Sequence, residues 1–325
     1  MRAVIPVAGF GTRLKPHTFS LPKVLVNVGG KPILGHILDK LVEEKITDVT
    51  FIIGYLGEKI KVYVNTIYPQ INAEYVEQKE MLGLGHAIHT AITTLNHEEI
   101  FIILGDMIFD ADFRKFLQNP TSVLGVKEVD DASKYGVAIL NEDGIIEKLV
   151  EKPSDPISNL ALVGIYYIKD AKLLEDCLNE LVEKDIRTKG ELQLTDALQL
   201  LIDKGEKIKT SKIEGWFDCG NQETLLLTNK FLLSKNSVST RRENVVIIPP
   251  VFIAENAKVE NSVIGPNATI SDNCEVLNSN IKNSIISSNA KVENSLLEDS
   301  LVGPYAVVKG KTKKVNIGES AEIEI

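Results

Sequence analysis

The sequence predicts an α/β chain: a Rossmann-like, mostly parallel sheet flanked by helices, followed by a triangular parallel β-helix. Three observations carry this. Up to about residue 233, short apolar strands alternate with amphipathic helices, the β–α–β order that builds a parallel sheet covered on both faces. Beyond Val245, aliphatic residues recur every five or six positions with asparagine dense between them. Between these regions, residues 234–243 carry charge and serine without apolar periodicity, as a joint does. At 325 residues the chain also exceeds one typical core, so it divides into a first domain at 1–233 and a second at 244–325.

Each element follows from its residues. Ala3–Val7 reads as a buried strand, and Pro32–Glu44 as a helix with Ile33, Ile37, Leu38 and Leu41 on one face. Val49–Ile53 is the next strand, Glu58–Asn65 a short helix, Ala73–Glu77 a strand and Gly85–Leu95 a helix. Ile100–Leu104 is a strongly apolar strand ending in Gly105-Asp106. Strands then dominate: Ser122–Val126, Tyr135–Leu140, Ile145–Glu151 and Leu160–Ile168. Helices at Asp170–Glu183 and Gln193–Lys204, a strand over Lys207–Asp218 and a helix at Gln222–Leu233 complete the first domain.

In the second domain the aliphatics are Ile247, Ile253, Val259, Ile264, Ile270, Val276, Ile281, Ile286, Val292, Leu297, Val302 and Val308. A hexapeptide period places one of them on each side of a triangular coil. Asparagines such as Asn261, Asn267 and Asn273 tolerate the left-handed corner conformation. An antiparallel sandwich would alternate every second residue and would not hold this period.

Composition excludes several classes. Hydrophobic residues make up 44% and charged residues 25%, ordinary values for a soluble globular chain. No apolar run approaches the ~18 residues of a membrane helix. The opening run Ala3–Val7 stops at Gly9 without the apolar core of a signal peptide. Three scattered cysteines, Cys177, Cys219 and Cys274, read as reduced thiols, and a cytoplasmic location is expected. Net charge is −9, yet the first 38 residues hold Arg2, Arg13, Lys15, Lys23 and Lys31 and no acid. A local positive field in an acidic protein points to a small polyanion and away from nucleic acid.

Inside that basic island lies Val7-Ala8-Gly9-Phe10-Gly11-Thr12-Arg13-Leu14, a glycine loop after a strand. Ala8 and the Gly9–Gly11 backbone suit close approach to phosphate oxygens, while Thr12 and Arg13 add donors. The dinucleotide fingerprint fails because no third glycine and no acid follow at the required spacing, and no GxxxxGK[ST] occurs. Lys23, in a proline-stiffened loop, is placed to reach the same phosphates. Asp106 ends an apolar strand at the edge of the sheet where ligands bind, and Asp218 repeats that pattern in Trp216-Phe217-Asp218. Two such carboxylates with substrate phosphates suit Mg²⁺. Glu151-Lys152 closes a strand and pairs an acceptor with a cation, as a phosphorylated sugar requires. Gln78, followed by Gly83, offers an amide to a base edge. His86 and His89, without carboxylate or cysteine partners, read as packing or surface residues.

These segments resemble the sugar-1-phosphate nucleotidyltransferases. The match runs through Gly9–Leu14, Pro22-Lys23, Lys31-Pro32, Leu104–Asp106, Tyr135–Val137, Glu151–Pro153 and Trp216–Asp218. The segment Gly190–Ala197 and the tail Asn316–Ile323 are similar to those of the long-form glucose-1-phosphate thymidylyltransferase group. The resemblance implies a mixed, mostly parallel nucleotidyltransferase domain followed by a left-handed parallel β-helix. It implies that Arg13 and Lys23 hold the triphosphate, Asp106 and Asp218 bind Mg²⁺, and Lys152 holds the sugar phosphate. Glu151 and the backbone of Gly136 and Leu162 would meet sugar hydroxyls, and Gln78 and Gly83 a pyrimidine. Met107 and Cys219 depart from the family pattern without removing a charge.

The expected reaction joins a hexose-1-phosphate, glucose-1-phosphate by preference, to a pyrimidine nucleoside triphosphate, dTTP by preference. It releases pyrophosphate. UTP is the alternative donor, and a non-catalytic nucleotide-sugar sensor the more distant reading. Hexapeptide β-helices also resemble those of acyltransferases, which draw a histidine base from the helix; no histidine follows His97 here. A homo-oligomer with small-molecule substrates, binding neither membrane nor nucleic acid, is expected.

Overall fold

The computed structural model describes residues 1–95, 99–236 and 242–311. His97, residues 237–241 of the expected joint, and the end of the expected second domain with the tail motif 316–323 lie outside the described residues. The chain forms two compact units: 1–26 with 31–225, and 27–30 with 226–325.

The first unit is built on a nine-stranded sheet. Along its main path the strands run in the order Ile146–Glu151, Gly136–Leu140, Leu160–Ile168, Ile100–Ile103, Arg2–Pro6, Asp48–Ile53, Asn72–Glu77. Arg2–Pro6 pairs in parallel with both Ile100–Ile103 and Asp48–Ile53, whereas Leu160–Ile168 runs antiparallel to its neighbours. The sheet is therefore mixed, with its parallel half carrying the glycine loop.

Strict alternation divides the core. Ala3, Ile5, Val49, Phe51, Phe101 and Ile103 face one cluster, while Val4, Ile52, Ile100 and Ile102 face the other. Successive side chains of a strand point to opposite faces, so a strand covered on both sides is apolar throughout. The helix Ile33–Glu43 closes the first face with Leu34, Ile37, Leu38 and Leu41, and Ala171–Glu183 with Leu194–Asp203 closes the second. Asp170 caps the former of these two by accepting from the Leu173 N–H at 2.8 Å.

Three expectations change. The run read as one strand, Lys207–Asp218, is two: Ile208–Lys212 joins the large sheet, and Gly215–Asp218 pairs antiparallel with Met107–Asp110, a strand the sequence did not disclose. The helix expected over Gly85–Leu95 is Leu84–Thr90 followed by a 3₁₀ turn. The last helix runs on to Lys235, into the stretch expected as joint.

The second unit contains three parallel four-stranded sheets, the faces of a left-handed parallel β-helix. Val251, Ile264, Ile270, Val276, Ile281, Ile286 and Val292 fill its centre. Asn261, Asn267, Asn273, Asn278, Asn283, Asn289 and Asn294 all take positive φ, as asparagine does at least cost. The first coil advances by 17 residues, Val245 opposite Ser262, and later coils by 16, Glu275 opposite Lys291. One side of the first coil and two sides of the later coils are thus pentapeptides, where an unbroken hexapeptide would give ~18 per coil. Asn27–Gly30 belong to this unit: Asn27 donates to Ser271 Oγ at 3.0 Å, and the Gly29 N–H donates to Asn229 Oδ1 at 2.8 Å.

Candidate active site

The strand Arg2–Pro6 ends at the mouth of a cavity of about 320 Å³ lined by Ala8, Gly9, Lys23, Gln78, Gly83, Asp106 and Glu191 among others. Ligands collect at the carboxyl ends of parallel strands, where loops diverge. Gly11, at φ +62°, starts the 3₁₀ turn Thr12–Leu14, and a Cβ there would lie 2.9 Å from Lys23 Cβ. The turn directs Arg13 back toward the end of the strand Gly215–Asp218.

Four predicted residues meet at one point. Lys23 Nζ donates to Asp106 Oδ2 at 2.7 Å and stands 3.6 Å from Asp218 Oδ1; Arg13 lies 3.8 Å from Asp218 Oδ2. The pairing of Met107–Asp110 with Gly215–Asp218 produces this, since it sets Asp218 opposite Met107, beside Asp106. Lys23 is only 9% exposed, so its charge needs both carboxylates. Asp218 Oδ1 is buried and accepts no hydrogen bond. A hard-oxygen pair in which Asp106 lines the cavity and Asp218 keeps one unsatisfied atom fits Mg²⁺, which takes one or two carboxylates and completes its shell with phosphates and water. Among the described residues no three His, Cys, Asp or Glu side chains gather to hold a metal without such help.

The other predicted residues form a second cluster. Glu151 ends its strand with Lys152 Nζ 3.6 Å away, and Lys152 stays out of the ion-pair group around Lys23. Lys152 has φ +45°, a strained value for a residue with a Cβ, and its N–H donates to the Tyr135 carbonyl at 2.9 Å. Glu151 Oε2 and Leu162 Cδ1 both crowd Gly136, at 2.9 and 3.0 Å from where its Cβ would be. Tyr135 packs edge-on against Trp216 at 4.8 Å between ring centroids, which joins the strand end carrying Glu151 and Lys152 to the strand carrying Asp218. At the far side of the cavity Gln78 is buried, its amide 3.4 Å from both the Gly83 carbonyl and His86 Nδ1. Burial, and then the neighbouring His89, hold the His86 imidazole below its ordinary value. Gly83, at φ +120°, lets Leu192 approach: a Cβ would stand 2.5 Å from the Leu192 carbonyl oxygen.

This arrangement can hold two anions at one strand edge, with cations and carboxylates arrayed between them. The sequence model of the Nucleotidyl transferase family matches residues 2–235. The chain belongs to that family. Among curated relatives, it is 36% identical over 273 residues to a glucose-1-phosphate thymidylyltransferase of Streptomyces antibioticus, covering 80% of this chain and 75% of the relative. It is 37% identical to the UTP–glucose-1-phosphate uridylyltransferase AglF of Haloferax volcanii, covering 69% and 93%. It is 40% identical over 262 residues to the bifunctional protein GlmU of Methanocaldococcus jannaschii, but spans only 61% of that protein's length. A solved UDP-glucose pyrophosphorylase complexed with UDP-glucose superposes with a TM-score of 0.61 at 26% identity, covering 72% of this chain and 99% of that one. The likeness read from the glycine loop, the two aspartates and the Glu151-Lys152 pair is borne out.

As a nucleotidyl transferase the chain shows residues that the sequence marked only within matching segments, without a role. Glu191 lines the cavity, Thr195 donates to Glu151, and Tyr135 and Trp216 tie the two clusters together. Their contacts span 44 residues or more of chain, and only the folded sheet reveals them. The segment Gly190–Ala197, noted as a family likeness, was the available signal.

Proposed function

We propose that the protein transfers a nucleotidyl group from a pyrimidine nucleoside triphosphate, dTTP in the first instance, to a hexose-1-phosphate, in the first instance glucose-1-phosphate. The products are a nucleotide-sugar and pyrophosphate. The observation that carries this reading is the meeting of Arg13, Lys23, Asp106 and Asp218 at the edge of a cavity whose far side holds Gln78 and Gly83. UTP is the second donor to consider, favoured by the likeness to AglF.

Ala8, Gly9, Gly11 and Thr12 would wrap the triphosphate, with Arg13 and Lys23 neutralising its charge. Gln78 and Gly83 would meet the base. Lys152 would hold the sugar phosphate while Glu151 and the backbone of Gly136 and Leu162 meet sugar hydroxyls. A sugar phosphate oxygen is already a nucleophile, so no general base is needed. What these residues supply is in-line positioning and charge neutralisation between two anions. Asp106 and Asp218 would bind Mg²⁺, which supplies further neutralisation of phosphate charge when bound.

The chemistry is assigned to residues 1–233, with 234–243 as joint and 244–325 as a β-helix of assembly or regulatory role. No helix among the described residues is long and apolar enough to cross a membrane. Three buried cysteines outside any disulfide support a reducing, cytoplasmic location. Triphosphates crossed with sugar phosphates, followed by pyrophosphate release, test the whole reading. Release with dTTP or UTP and glucose-1-phosphate is expected, and no release from any pair defeats it.

A further inference from the structure

Glu151 is held in a way that its assigned role does not explain. Its side chain is 9% exposed, and its Oε2 accepts from Thr195 Oγ1 at 2.6 Å. Thr195 is 7% exposed and sits in the first turn of the helix Leu194–Asp203. A hydroxyl there usually points at its own helix end or at solvent; this one is committed to a carboxylate 44 residues earlier. Gly136 closes the third side, for a Cβ would stand 2.8 Å from Thr195 Oγ1 and 2.9 Å from Glu151 Oε2. With Oε2 engaged by the hydroxyl and Oε1 lying 3.6 Å from Lys152 Nζ, the carboxylate has one orientation.

The same segment also reaches the cavity beside the glycine loop. The Leu192 N–H donates to the Leu82 carbonyl and the Gly85 N–H to the Leu192 carbonyl, both at 2.8 Å, beside Gly83. Glu191 lines the cavity between them. Asp196, next in the chain, has a buried Oδ2 without a hydrogen-bond partner. Burial and the Glu151 charge both push its carboxyl above the usual value. Glu151 therefore has a like-charged neighbour that would turn it aside without a donor to hold it.

We infer that Thr195 is a positioning residue for the acceptor sugar: its hydroxyl fixes the Glu151 carboxylate so that the remaining oxygen faces the sugar hydroxyls. The inference rests on the reading of Glu151 as a sugar ligand. A buried charge-assisted hydrogen bond is short and directional, so its loss frees the orientation of the carboxylate and also costs stability, which the melting temperature reads separately. The donor nucleotide, bound through Gln78 and the glycine loop, does not sense it.

The test is steady-state kinetics of full-length Thr195→Val, Thr195→Ser and Glu151→Gln, with melting temperatures measured alongside. Thr195→Val is expected to raise KM for the sugar phosphate about tenfold, as loss of one oriented bond would. KM for the triphosphate should stay within about twofold, and Thr195→Ser should restore both. An unchanged sugar-phosphate KM in Thr195→Val overturns the inference. So does an equal rise in both KM values that serine fails to rescue, which marks a purely structural threonine. If Thr195→Val does not fold, Thr195→Ser and Glu151→Gln decide: normal sugar-phosphate KM in Glu151→Gln overturns both the inference and the role given to Glu151. Absence of turnover in the unsubstituted chain defeats the proposed function itself, a result distinct from these.

Discussion

At the scale of single residues, the site is a balance of charges around Lys23. Asp106 and Asp218 hold this nearly buried ammonium, and Arg13 backs Asp218. Asp106 itself is 40% exposed at a strand end, so its removal costs chemistry before it costs folding. Asp106→Ala is expected to lower turnover by on the order of 10²–10³-fold, comparable to removing one pre-organised electrostatic group. The melting temperature should fall as well, because Lys23 then keeps only Asp218 at 3.6 Å; near-normal turnover in the folded variant would remove Asp106 from the machinery. His86 gives a second prediction. Its folded value lies below the ordinary 6.5 because burial disfavours the charged ring, so its contribution to stability is complete above pH 6.5 and is lost as pH falls through the folded value. His86→Asn should flatten the fall in melting temperature as pH drops below about 6.5, and a profile unchanged by the substitution contradicts this. At this scale the sequence was most legible where chemistry is local: a glycine loop beside a basic island, and aspartates after apolar strands. It marked Thr195 and Trp216 only as parts of matching segments and gave them no role, since their partners Glu151 and Tyr135 are distant in the chain.

Elements read well where one period rules and poorly where two strands abut. Residues 207–218 carry one apolar rhythm, yet the chain turns at Ile213-Glu214 and the halves join different sheets. Pairing with Met107–Asp110, itself only four residues long, decides this, and such pairing is tertiary information. The loop after Gln78 shows the reverse case, a backbone need visible as glycine. Gly83→Ala must hold a Cβ 2.5 Å from the Leu192 carbonyl at φ +120°, and should cost roughly 1–3 kcal/mol. A melt of that variant checks the figure, and no loss of stability would mean that the Leu82–Leu192 contact yields freely. In the β-helix the asparagine corners were legible because few other residues accept positive φ. The coil length was not, since a period of five or six leaves 16 and 17 equally open.

At the scale of the whole molecule, the two units have separate cores: paired clusters on either face of the large sheet, and a column of aliphatics inside the β-helix. We propose that they unfold as separate cooperative transitions. Ile281 is fully buried in the column, so Ile281→Ala should lose about 2–5 kcal/mol from the β-helix alone. Calorimetry should then show one transition lowered and the other unmoved, whereas a single shifted transition argues for one cooperative molecule. The change of grammar at Val245 made this division readable in the sequence; the allegiance of Asn27–Gly30 to the second unit was not, because a tetrapeptide carries no period. The register of the coils also limits how such a gene can drift in length. Inserting or deleting a handful of codons would rotate every later side chain onto the wrong wall of the prism, whereas gain or loss of an entire 16-residue lap leaves each inward position inward. Viable length variants of this C-terminal region should therefore differ by whole laps.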